Sequence, residues 1–167
     1  DSPIKSLDQL RGKTVAINDR LVLNSILTLT ELERRGVQLA DLRIVSAASQ
    51  NSALLSVAAG DVDAAVTVNF AVGQIPKEKQ GDLRTLFQTE ENPDMPSTLI
   101  LVHPAMDASD RQRLEASLLR FANTDEGRQF LRASQYKNAI RINSANLKRL
   151  DVYMPELRRL MAMRPEY

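Results

Sequence analysis

Apolar positions in the first ninety residues change period several times, and each change marks an element. Thr14 to Ile17 is a short run flanked by Lys13 and Asn18, which predicts a strand buried on both faces. Ile26, Leu27, Leu29, Thr30 and Leu32 then recur at helical spacing up to Gly36. Asn24 or Ser25 is placed to cap this helix, Arg34 and Arg35 suit the negative end of its dipole, and Gly36 is placed to end it. Leu42 to Ser46 predicts a second strand. A helix follows from Ser49 or Asn51 to Ala59, apolar on most sides through Ala53, Leu54, Leu55, Val57 and Ala58 and therefore expected to be largely covered, and Gly60 stops it. Ala64 to Val68 predicts a third strand, and Leu83 to Phe87 a further one after Pro76 and Gly81.

The pattern breaks between Asn92 and Pro96, where two prolines predict a loop or hinge, and Thr98 to His103 resumes as a strand before Pro104. Beyond it the periodicity is helical. Leu114, Leu118 and Phe121 form one stripe behind a cap at Asp107 or Ser109, and Thr124 opens a helix containing Phe130 and Leu131. Asn143 or Ser144 starts another with Leu147 and Leu150 inward, and Pro155 suits the first turn of a last helix carrying Leu157, Leu160 and Met161. Strands alternating with helices predict an α/β fold, a mostly parallel sheet with helices on both faces, followed by a helical C-terminal region. The expected division is an α/β ligand-binding lobe at 1–97, then a return strand and helical region at 98–167.

Composition narrows the function without choosing it. The chain has 167 residues, 43% hydrophobic and 26% charged, as in ordinary globular proteins. With 22 Lys and Arg against 21 Asp and Glu, net charge offers no argument for nucleic acid. The absence of cysteine excludes disulfides, thiolate metal sites and a cysteine nucleophile. No apolar run approaches the ~20 residues a membrane-spanning helix needs, and no positively charged leader precedes an apolar stretch.

Catalytic chemistry lacks parts. His103 is the single histidine, at a predicted strand end with no serine elbow or carboxylate pair near it, and no hydrolase, zinc-protease, Walker or dinucleotide glycine motif occurs. Asp61 and Asp63 are alternate residues at a strand entrance and could bind a cation or act as an acid/base pair, but acids after a helix-ending glycine more commonly serve a turn. Asp19 with Arg20 reads as a surface turn pair. No catalytic residue, metal ligand or cofactor is therefore expected. Polar residues do gather where strands end and helices begin: Asn18 and Asp19, Asn24 and Ser25, Ser49, Gln50 and Asn51, and Thr67 with Asn69. Ligands of open α/β sheets collect at the carboxyl ends of the strands, so these nine residues are the candidate ligand-binding set. Each could alternatively be an ordinary cap.

Four segments then carry a family likeness: Ser6 to Ala16 (Ser-Leu-Asp-Gln-Leu-Arg-Gly-Lys-Thr-Val-Ala), Ser49 to Ala65, Thr98 to Pro104, and Thr124-Asp125-Glu126-Gly127-Arg128. Together they resemble the second lobe and C-terminal tail of type II periplasmic substrate-binding proteins, in the phosphate/phosphonate branch of ABC transporter components. The resemblance implies a solute-binding module, not an enzyme, that closes around a small polar or anionic ligand in an interlobe cleft and is read by a membrane permease or receptor. It implies a periplasmic or extracytoplasmic location and a further lobe in family members, without which apolar faces such as Leu114, Leu118 and Phe121 would favour a homodimer. A sensory domain of a histidine kinase or cyclic-dinucleotide enzyme is the alternative use of the same fold. Where the family carries a Ser-Thr-Ser-Gly-like turn, this chain has Asn18 to Ser25, and the family's Ser-His-Asp stands as Ser49-Gln50-Asn51. These departures point either toward a neutral or weakly charged ligand or toward lost binding.

Overall fold

The computed structural model describes residues 2–90 and 98–163. The prolines of the predicted 92–96 loop lie outside the described residues. Three parallel strands form one sheet, β1 (Thr14–Ile17), β2 (Arg43–Ser46) and β3 (Ala64–Val66), in the order β2-β1-β3. The register sets Val15 opposite Ile44 and Ala64, and Ile17 opposite Ser46 and Val66. Parallel strands need long crossovers, which α1 (Leu23–Arg34) and α2 (Gln50–Ala59) supply. Side chains on β1 alternate between two packed faces. Val15 and Ile17 join Ile26, Leu29 and Leu32 of α1 and Val66, while Ala16 on the opposite face joins Ala53 of α2, Val62 and Ala65. Helices thus cover both faces of a parallel sheet, as the sequence pattern predicts.

The chain divides into two compact units, one comprising Asp1–Glu91 with Tyr153–Tyr167 and the other Asn92–Val152. The first unit differs from the expected 1–97 lobe in taking back the last helix, α7 (Met154–Ala162). Leu160 is the reason: it has no exposed surface and sits in the α1-side core, with Tyr153, Leu157 and Met163 packed against the same cluster. The buried stripe therefore runs Tyr153, Leu157, Leu160, and Met161, one position round the helix from it, is 64% exposed. Arg159 donates to both Glu156 carboxylate oxygens at 2.7 Å and to Glu33 of α1. The Glu156 hydrogen bond is foremost in raising the Arg159 pKa, against a lowering by burial. Because that value lies above the unfolded one, the stabilisation is complete below the unfolded pKa and constant through neutral pH.

In the second unit, α4 (Ala108–Ala122) turns into α5 (Asp125–Ala133) through a three-way contact. Thr124 Oγ1 donates to the Phe121 carbonyl at 2.9 Å and accepts from the Gly127 N–H at 3.0 Å, so the threonine cap also fastens the two helices. Phe121 and Phe130 then meet with ring centroids 6.3 Å apart. Gly127 is obligatory here, since a Cβ would stand 1.8 Å from the Phe121 carbonyl oxygen.

Several expected elements take another form. Leu83 to Phe87 is not a strand, although Leu86 and Phe87 still pack on the α1-side core as irregular chain. Thr98 to His103 is not a strand either, and Leu101 is 83% exposed. Both runs have strand composition, but composition makes a strand only where a sheet edge accepts it, and among the described residues the sheet ends at β2 and β3. Leu55 and Leu147 are exposed, because α2 buries only its Ala53–Leu54 side and α6 (Ser144–Lys148) is barely one turn long. Asn24 and Ser25 do not cap α1; Val22 is the N-cap, and both residues lie inside the first turn.

Leu160→Ala should cost about 2–5 kcal/mol in a urea titration followed by a probe in the first unit. Gly127→Ala should instead perturb NMR resonances at the α4–α5 junction and leave those of β1 and β3 in place, because its clash is confined to the second unit.

Candidate functional site

Register brings the carboxyl ends of all three strands to one level, so Asn18, Ala47 and Thr67 each stand one residue beyond the paired Ile17, Ser46 and Val66. The chain leaves β1 through α1 on one face, then crosses back over β1 through α2 on the other to reach β3. That reversal makes the β1–β3 junction the switch point where the loops splay apart. Asn18 Nδ2 donates to the Ala47 carbonyl at 3.1 Å and ties the β1 end to the β2 end. Gln50 does the same toward β3: its Oε1 accepts from Val68 N–H at 3.0 Å and lies 3.3 Å from Thr67 Oγ1.

Ser49 caps α2 as the sequence pattern suggests. Its hydroxyl accepts from Ser52 N–H at 3.0 Å, and Ser52 Oγ accepts from Ser49 N–H at 2.9 Å, a capping box built from two serines. Asp19 Oδ1 accepts from Leu21 N–H at 2.8 Å, and Ser25, 1% exposed, donates its hydroxyl to the Asp19 carbonyl at 2.6 Å. Asn69 Oδ1 accepts from Phe70 N–H at 2.9 Å. Seven of the nine sequence-selected residues thus make hydrogen bonds that shape the edge. Asn24 and Asn51, both half-buried in first turns of α1 and α2, have side chains with no hydrogen bond among the described residues.

Partial positive charge reaches the edge from its helix starts, and its two formal charges, on Asp19 and Arg20, are of opposite sign. Neither α1 nor α2 carries an acidic residue in its first turn, and no side chain caps α1, so the leading N–H groups of α1 retain their partial positive charge. Arg20 adds a full positive charge. Asp19 serves the expected turn, and the Arg20 Nη2 donates to the Met163 carbonyl at 2.6 Å. That contact spans most of the chain and had no local sequence signal. Asp61 and Asp63 are absent from this edge. Asp63 lies at the opposite end of the sheet, where its Oδ2 accepts from Thr14 N–H at 2.8 Å while its own N–H donates to the Thr14 carbonyl at 2.9 Å. His103 is exposed and its Nδ1 accepts from Ala105 N–H at 3.1 Å, closing a turn. Among the described residues no group of three or more His, Asp or Glu side chains could hold a metal.

Removing the Gln50 carbonyl leaves the Val68 N–H without its acceptor. Gln50→Ala should therefore lose about 1–3 kcal/mol in denaturant melts, and Gln50→Glu, which keeps the acceptor, should lose less.

Comparison with known proteins fits this geometry. No curated protein matches the chain. In the solved structure of XAC2383 from Xanthomonas citri bound to chloride ion, 23% of aligned residues are identical and the TM-score is 0.73. The match covers 96% of this chain and 63% of that one, and at this identity it shows a shared fold. Among the described residues no helix is long and apolar enough to cross a membrane. Residues 1–147 match the family described as ABC transporter, phosphonate, periplasmic substrate-binding protein, and the chain belongs to that family.

Proposed function

We propose that this chain is the solute-binding module of an ABC-type uptake system, and that it takes a small anionic or polar ligand, phosphate- or phosphonate-like, at the carboxyl edge of its sheet. The observation that carries the reading is that both helices beginning at the carboxyl edge have no acidic residue in their first turns and each carries there an unengaged amide, Asn24 or Asn51. Backbone N–H groups at such ends are donors aimed outward, and an anion complements both their hydrogen bonding and the helix dipole. Neutral amides beside them add donors without adding charge. In this reading Ser49, Gln50, Asn18 and Thr67 hold the edge in shape and present what remains of their polar atoms to the ligand, while Asp19, Ser25 and Asn69 build its loops.

The role is binding without turnover. The cleft closes around the ligand and a membrane permease reads the closed form, outside the cytoplasm, as membership of the family supports. The loop departures remove hydroxyl donors and add no net charge, since Asp19 offsets Arg20, so the anionic reading rests on the helix starts.

Thermal melts with inorganic phosphate, phosphite and methylphosphonate test the reading. Ligand at about 100 times its dissociation constant should stabilise the chain by roughly 2.7 kcal/mol, an upward shift on the order of 5–10 °C. Asn24→Ala and Asn51→Ala should each reduce that shift without lowering the ligand-free melting temperature by more than about 2 °C. A flat response to all three anions would overturn the proposed ligand class.

A further inference from the structure

One hydrogen bond joins the candidate ligand edge to the last helix, across 143 positions of sequence: Arg20 Nη2 to the carbonyl of Met163, at 2.6 Å. Met163 is the C-cap of α7, so the guanidinium lies at the negative end of that helix dipole. The same helix is anchored further back by Arg159 to Glu33, in the last turn of α1. Contacts in that order mean that α7 runs antiparallel to α1 and delivers its C-terminal carbonyl to the loop before the first residue of α1. Arg20 makes no other hydrogen bond or ion pair among the described residues. On its other side the loop is tied by the buried Ser25 hydroxyl to the Asp19 carbonyl, and by Asp19 to Leu21 N–H.

We propose that α7 acts through Arg20 as a clasp that fixes the shape of the 18–25 loop, which makes Arg20 a positioning residue for the ligand edge. The loop is held from three sides: Asn18 to the Ala47 carbonyl beyond β2, Asp19 by the Ser25 hydroxyl of α1, and Arg20 to α7. Cutting the Arg20 attachment removes the side-chain hydrogen bond that holds the middle of the loop, while its start stays tied by Asn18 and Asp19. Docking of α7 is secured independently of the loop by the fully buried Leu160 and by the Arg159 ion pairs with Glu33 and Glu156. Whatever loosens α7 then loosens the loop, although no residue of the loop has changed. The clasp itself rests on geometry, and its consequence for ligand affinity rests on the function proposed above.

Native-state amide exchange on the whole chain, followed residue by residue, tests the clasp without a ligand. The amides of Leu21, bonded to Asp19 Oδ1, and Ile26, bonded to the Val22 carbonyl, report on the loop. Arg20→Ala should speed their exchange about tenfold while the amides of Val15–Ile17 and Ala64–Val66 keep their rates, and Arg20→Lys, which retains a donor, should restore most of the protection. Leu160→Ala should speed the same two loop amides from a distance. In parallel, Arg20→Ala should weaken methylphosphonate binding about tenfold and Arg20→Lys should bind nearly as the wild type does. Unchanged loop exchange in Arg20→Ala would overturn the proposal, as would a uniform rise across the whole unit. Weakened anion binding with unchanged loop exchange would also overturn it and would mark Arg20 as a direct ligand contact. If the wild type binds no anion, the proposed function fails while the exchange pattern still decides the clasp.

Discussion

Everything in the first unit depends on β1 being buried on both faces. Val15, Ala16 and Ile17 are each at most 3% exposed, which only a central strand of a sheet covered on both sides permits. Covering both sides requires the chain to cross once on each, and the right-handed crossovers through α1 and α2 then leave β2 and β3 on opposite flanks of β1. The switch point, the alignment of the strand ends and the placing of two helix N-termini at those ends are consequences of that one arrangement. The face toward α1 is filled by branched side chains and the face toward α2 by alanines, so α2 lies over small side chains and α1 over large ones. At its outer edge β2 is a poor core strand, with Ile44 and Val45 each about 40% exposed, and contributes mainly backbone pairing.

How polar residues divide at the ligand edge is the second physical theme. A buried or half-buried strand end cannot leave its backbone groups unpaired, so Asn18, Gln50 and the Ser49–Ser52 box satisfy them first. In the proposed function, ligand recognition falls to what that requirement leaves over, the amides of Asn24 and Asn51 and the uncapped start of α1. A side chain that builds the edge and one that meets a ligand are therefore of the same chemical types. Their difference lies in which hydrogen bonds are already made.

That difference explains what could be read from the chain alone. β1 and the two crossover helices were legible because burial on both faces imprints a short apolar run and helical burial imprints a stripe, whereas β2, exposed at all four residues, was legible from its β-branched composition and its place in the alternation. Ser49, Thr124 and Asn143 were legible as caps because capping is local. The Arg20–Met163 bond was not, since nothing within reach in sequence marks it. Nor was the start of α1, where Asn24 and Ser25 carry the chemistry of caps yet the backbone enters the helix at Val22, and Ser25 spends its hydroxyl on Asp19. The runs at 83–87 and 98–103 misled for a related reason: strand composition is a property of the segment, whereas strand formation needs an edge supplied by other residues. Gly127 was visible in the sequence only as part of a family-like stretch, and its role emerged from the Phe121 carbonyl that faces it.

The central claim is that the carboxyl edge of the sheet, and no other part of the first unit, receives an anion. An NMR titration of the labelled chain with methylphosphonate addresses it most directly, because each amide reports separately. The account predicts saturable shifts of the Leu23, Asn24, Ser25, Gln50 and Asn51 amides, with Lys13, Thr14 and Asp63 at the far end of the sheet unmoved. Saturable shifts centred on that far end, or none at the five leading amides at millimolar anion, would contradict it.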